Sequence, residues 1–169
     1  FFNPPRYLRL LEIIPTPDTD SSVVDFLMHY GDLYLGKTTV LAKDTPAFIA
    51  NRIGVFGIMA IFQLVEKLGL TIDEVDALTG PIIGRPKSAT FRTADIVGID
   101  TLVKVAKGVY ENCPNDEQRQ VFQIPSWLNT IVENKWLGDK TGQGFFKKMP
   151  ASPNAEKEIY ALDLKTLEY

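Results

Sequence analysis

The stretch Asp44 to Gly69, DTPAFIANRIGVFGIMAIFQLVEKLG, constrains the fold more than any other part of the chain. Thr45 suits an N-cap, Pro46 suits the first helical position, and Gly69 suits the left-handed residue that closes a helix. The spacing predicts one helix of roughly 35 Å, about the width of a small domain. Its middle, Ile53 to Phe62, is apolar on nearly every side, so the expectation is a central helix covered from more than one direction. The run is bracketed by Arg52 and Gln63 and reaches only about half of the roughly 20 residues needed to cross a bilayer, so it is not read as a membrane span. The polar pair Asn51-Arg52 at its edge either caps and bridges neighbouring loops or has a chemical task.

The 169 residues suffice for one good core, or for one domain and part of another. A net charge of -3 and 23% charged residues give no basic field for nucleic acid and none for a membrane surface. Cys113 is the only cysteine, so an intrachain disulfide and a cysteine metal cluster are both impossible. That usage is compatible with a reducing, cytoplasmic setting. The sole histidine, His29, excludes a multi-histidine metal site within these residues and restricts acid–base chemistry to one imidazole or to carboxylates. The chain opens on Phe1-Phe2-Asn3-Pro4-Pro5 and stops within an apolar-patterned tail, so the expectation is a piece of a longer protein.

Upstream of the long helix, Leu10 to Ile14 reads as a short strand with Glu12 at its centre, bounded by prolines. If both faces of the strand are covered, Glu12 needs a partner, because a lone buried carboxylate costs several kcal/mol. If one face is solvated, Glu12 is simply the outward residue. Asp18 to Leu35 is an amphipathic helix with Asp18, Thr19 or Asp20 at its capped start, Val23, Phe26, Leu27 and Tyr30 on its apolar stripe, and Gly36 at its close. His29 shares a face with Asp25 and reads as a surface residue. A second strand, Thr38 to Ala42, completes a strand–helix–strand unit. Two strands are too few for an independent sheet, so the unit belongs to something larger.

Downstream, Thr71-Ile72-Asp73-Glu74 is a capping box opening a helix that ends at Gly80-Pro81. Ile82 to Thr93 reads as a loop or a broken turn whose Arg85, Lys87 and Arg92 are either solvated or available to a phosphate-bearing ligand. A short helical piece through Val97 ends at Gly98; Asp100 to Glu111 and Pro125 to about Asn134 are further helices. Gly138-Asp139-Lys140-Thr141-Gly142-Gln143-Gly144 turns tightly around Lys140 but lacks the glycine spacing of a phosphate-cradling P-loop. Pro150 to Lys157 reads as a linker, and Ile159 to Tyr169 as an extended or turn-like tail.

Four separated stretches together resemble the L-3-hydroxyacyl-CoA dehydrogenase family: Phe1-Phe2-Asn3-Pro4 followed by Leu11-Glu12; Lys43 through Arg52; Asp95-Ile96-Val97-Gly98-Ile99-Asp100-Thr101; and Lys140-Thr141-Gly142-Gln143-Gly144-Phe145-Phe146. The likeness is greatest to the dehydrogenase part of multifunctional fatty-acid oxidation proteins. It implies a mainly α fold of the 3-hydroxyacyl-CoA / 6-phosphogluconate dehydrogenase type. Residues 1–44 would end a Rossmann NAD-binding domain, residues 45–148 would form the helical C-terminal domain, and residues 149–169 would be a linker or tail leading onward.

The implied reaction oxidises a 3-hydroxyacyl-CoA of fatty-acid β-oxidation with NAD. An imidazole takes the hydroxyl proton and a glutamate orients it, the division of labour seen in a serine-protease triad. By resemblance the glutamate is Glu12, and an apolar setting would strengthen its hold on an imidazolium. Asn51 matches the residue that hydrogen-bonds near the reacting oxygen, Lys140 the lysine that reaches the dinucleotide, and Asn3 a residue on the substrate side. The family's imidazole precedes the Phe-Phe-Asn-Pro motif, and its glycine-rich fingerprint lies further upstream, so the 169 residues by themselves are expected to be inactive. Gly84-Arg85-Pro86-Lys87-Ser88-Ala89 departs from the family's proline–methionine–glycine–proline turn. The resemblance also implies a homodimer or intrachain docking through the helices. A non-catalytic docking module and a 6-phosphogluconate-type dehydrogenase are the alternatives.

Overall fold

The computed structural model describes residues 1–149 and 158–169, so the expected linker from Pro150 to Lys157 lies outside the described residues. The architecture is mainly helical after an opening strand–helix–strand, and it divides into two compact units, Phe1–Arg52 and Ile53–Tyr169.

In the first unit, β1 (Leu10–Ile13) pairs in parallel with β2 (Thr38–Leu41), with Glu12 opposite Val40. The crossover helix α1 (Ser21–Leu33) begins at Asp20, whose carboxylate accepts the Ser22 N–H at 2.8 Å, and Gly36 at φ 61° follows its end. Gly31 is the buried residue of α1, and a Cβ there would stand 2.6 Å from Thr39 Cγ2 and 3.0 Å from Leu11 Cδ2. Helix and strands therefore meet by close backbone approach, which only glycine permits. The apolar stripe of α1 is not covered: Phe26 is 61% exposed, Tyr34 72%, and the rings of Phe26, Tyr30 and Tyr34 stack on one another at 5.5 and 5.3 Å. A sheet two strands wide is too narrow to shelter it.

The long helix, α2 (Ala50–Leu68), starts later than its sequence signals suggest. Thr45 does not cap it and Pro46 does not open it, because Ala47 and Phe48 take left-handed backbone angles of φ 62° and 51°, and a helix cannot pass through them. Gly69 closes it as expected, at φ 65°. The shortened helix spans roughly 28 Å. It is also covered on one side rather than all round. Val55, Ile58, Met59, Phe62 and Val65 are buried, whereas Ile53, Phe56, Leu64 and Leu68 remain exposed.

The second unit also holds α3 (Ile72–Thr79), α4 (Phe91–Val97), α5 (Ile99–Asn112) and α6 (Ser126–Glu133). Phe62 is the hub of the core: it stacks on Phe91 at 5.0 Å and meets the edges of Trp127 and Phe145 at 5.2 and 5.4 Å. The described part of the tail is not loose. β3 (Phe146–Lys148) pairs antiparallel with β4 (Ile159–Ala161), Leu162 is buried, and Trp136 lies 5.9 Å from the ring of the terminal Tyr169.

The expected solvated loop from Ile82 to Thr93 is correct only in its first half. Ala89, Thr90 and Phe91 are buried, and α4 begins at Phe91 without a side-chain cap of its own. Asp76 of α3 supplies one from a distance. Its carboxylate accepts the N–H groups of Thr90, Phe91 and Arg92 at 3.0, 2.7 and 2.9 Å. Burial nonetheless pushes its pKa up, outweighing those bonds. Asp76→Ala strands three donors at once and is expected to lower unfolding stability by about 2–4 kcal/mol, with Asp76→Asn intermediate. Urea denaturation of the chain and both variants measures it.

Candidate active site

The first unit holds three of the four residues singled out by sequence. Leu11 and Glu12 point to opposite faces of β1 and both are buried, Glu12 at 9% exposure, so the strand is covered on both sides and the solvated reading of Glu12 is wrong. The carboxylate has its partner: Oε1 accepts the Ala50 N–H at 2.7 Å. A negative group thus sits at the opening turn of α2, where unpaired N–H groups and the helix dipole favour it. One such bond leaves the carboxylate with acceptor capacity for a further donor.

Asn51, next along the helix, is exposed at that same turn. Asn3 is exposed in the loop before β1, where Tyr7 and Leu8 donate their N–H groups to the Pro4 carbonyl at 3.0 and 3.1 Å. Lys37 fastens this loop to the start of β2 by donating to the Leu8 carbonyl at 2.7 Å and to that of Pro5. His29 is exposed on α1, as expected.

Lys140 belongs to the second unit. It lies on a single 3₁₀ turn, Asp139–Thr141, between Gly138 at φ 92° and Gly142 at φ 74°. Its ammonium pairs with the Asp100 carboxylate, which holds Asp100 below the ordinary carboxylate pKa. Arg92, read from sequence as solvated or phosphate-seeking, instead grips Asp139 through two hydrogen bonds of 2.5 and 2.8 Å.

Sequence reasoning gave no role to Asp95, and the structure gives it a central one. It is 1% exposed, and its two oxygens accept the N–H groups of Phe145 and Phe146 at 2.8 and 2.9 Å. Glycines make room for it. A Cβ on Gly144 would fall 2.1 Å from Asp95 Oδ1, and one on Gly138 2.2 Å from the Asp95 carbonyl. The paired glycines around Lys140 were the available signal, since they mark a backbone approached closely from outside. A cavity of about 840 Å³ opens elsewhere, among Val65, Leu70, Trp127 and Leu162, and none of the singled-out residues lines it.

Two family models divide this chain between them. Residues 48–148 match the 3-hydroxyacyl-CoA dehydrogenase C-terminal domain, and residues 1–45 match the NAD binding domain of the same family. The chain belongs to the 3-hydroxyacyl-CoA dehydrogenase family, and the 6-phosphogluconate-type alternative gives way. It is 53% identical over its whole length to a probable 3-hydroxyacyl-CoA dehydrogenase of Bacillus subtilis, of which it covers 20%. It is 29% identical to a putative fatty acid oxidation complex trifunctional enzyme of Rickettsia felis, over 100% of this chain and 23% of that one. The crystal structure of M. tuberculosis FadB2 superposes with a TM-score of 0.77 at 30% identity, covering 88% of this chain and 50% of that one. The chain thus spans between a fifth and a half of the relatives it matches.

Burial pushes the Asp95 pKa up to about 6, against the opposing pull of the Phe145 and Phe146 N–H groups. A carboxyl whose folded pKa is raised favours folding when protonated, so its contribution to stability falls as pH rises from about 4 through 6. Comparing urea unfolding of the chain with that of Asp95→Asn across pH 4 to 7 is expected to show this component, about 2–3 kcal/mol in all, only where the carboxyl is present.

Proposed function

We propose that this chain is part of an NAD-dependent dehydrogenase that oxidises L-3-hydroxyacyl-CoA to 3-oxoacyl-CoA in fatty-acid β-oxidation. Residues 1–44 end its NAD-binding domain, 45–148 form its helical domain, and 149–169 lead onward. The observation that carries the reading is Glu12: a buried carboxylate in the family's matching segment, aimed at the turn that bears Asn51. NAD, when bound, supplies the acceptor for the hydride. Glu12 orients the imidazole that takes the hydroxyl proton and stabilises its charged form. Asn51 donates toward the reacting oxygen, Asn3 lies on the substrate side, and Lys140 contacts the dinucleotide. A reducing, cytoplasmic setting belongs to the same reading. Among the described residues no helix is long and apolar enough to cross a membrane.

A second reading adds a docking role, as a homodimer or against another part of the same chain. Ile53, Phe56, Leu64 and Leu68, left exposed along α2, favour it. Size-exclusion chromatography with light scattering tests it: association at high concentration is expected, and a strict monomer argues against pairing between copies.

Two activity measurements test the enzyme reading. The 169 residues alone are expected to form no NADH from a 3-hydroxyacyl-CoA above the no-enzyme blank, because their one imidazole, His29, is exposed on α1, a different element from the strand that carries Glu12. In the full-length dehydrogenase, Glu12→Gln is expected to lower kcat on the order of 10²-fold or more with little change in the KM for NAD. An unchanged kcat removes Glu12 from the mechanism.

A further inference from the structure

The backbone around Lys140 is held without any help from its side chain. Arg92 grips Asp139 on one side, Asp95 receives the N–H groups of Phe145 and Phe146 on the other, and Thr141 Oγ1 accepts the Leu137 N–H at 2.9 Å. The Lys140–Asp100 pair is therefore surplus to the fold of the turn. It is also poorly placed to stabilise anything, since the two side chains are 46% and 40% exposed and ion pairs in such settings add little to stability.

What the pair does is fix a charge. The Lys140 side chain crosses the corner between α4 and α5 directly over Gly98, which takes a φ of 99°. A Cβ on Gly98 would stand 3.1 Å from Asp100 Oδ1, 3.2 Å from Lys140 Nζ and 3.4 Å from Lys140 Cε. The missing side chain is the track along which the lysine reaches Asp100. An ammonium carries three donors, so one given to Asp100 leaves two for a ligand. A lysine already confined to one place loses less freedom when that ligand arrives.

We propose that Gly98 and Asp100 are positioning residues for Lys140, holding its ammonium over the α4–α5 corner ready to donate to the dinucleotide. The proposal rests on the dinucleotide role of Lys140 given above. Asp100 lies in the first turn of α5, where Asn replaces it at small cost to the helix, so Asp100→Asn removes chiefly the charge.

The test is steady-state kinetics in the full-length dehydrogenase, with NAD varied at saturating 3-hydroxyacyl-CoA. Asp100→Asn is expected to raise the KM for NAD three- to ten-fold at nearly constant kcat, and Asp100→Glu to restore most of it. Lys140→Met raises the same KM, and adding Asp100→Asn to Lys140→Met produces no further rise. An unchanged or lowered KM in Asp100→Asn, or effects that multiply in the double variant, overturns the positioning role while leaving Lys140 as a dinucleotide contact. An unchanged KM in Lys140→Met overturns that contact itself, and the positioning role with it.

Discussion

Carboxylates that reach across the chain to backbone N–H groups hold together what local sequence cannot. A helix opens with donors that have no partner within it, and burying them unpaired costs about 1–3 kcal/mol each. Here the partners come from far along the chain: Glu12 of β1 for Ala50 at the head of α2, and Asp76 of α3 for three donors at the head of α4. Asp95 of α4 does the same for the entry to β3. In each case an ionisable group is drawn out of water to satisfy backbone, and for Asp76 and Asp95 the desolvation penalty shows as a raised pKa.

The apolar side of the structure is less even. Phe62, Phe91, Trp127 and Phe145 pack in stacked and edge-on pairs that fill one dense centre. Elsewhere α1 shows its aromatic stripe and α2 one flank of aliphatic residues to solvent. Such faces gain free energy when something covers them, at roughly 25 cal/mol per Å² buried. The dense aromatic centre belongs to the second unit, whereas the first keeps its α1 stripe exposed beside a sheet only two strands wide.

The two candidate regions share a design. Glu12 is tied by one bond to the opening turn of α2, and Lys140 is carried on a turn whose backbone other residues secure. Reactive groups mounted on restrained backbone lose little entropy when a ligand binds, which is how a scaffold confers precision on a side chain. His29, by contrast, sits exposed on a helix face.

Much of the fold was legible locally. The capping box at Thr71 and Glu74, the closing glycines at 36 and 69, and the strand–helix–strand order follow from short-range chemistry, which any chain carrying those residues obeys. The separated motifs likewise mark the family. At the head of α2, Thr45 and Pro46 are good opening signals in isolation, and the left-handed angles of Ala47 and Phe48 cancel them. No local signal marks Asp95, because its partners, the N–H groups of Phe145 and Phe146, lie 50 and 51 residues further on. Sequence alone determined the elements and the kinship, since both are written in neighbouring residues. Which carboxylate is buried, and which backbone it serves, was decided only by tertiary structure, because burial and long-range pairing exist only once the chain has closed on itself.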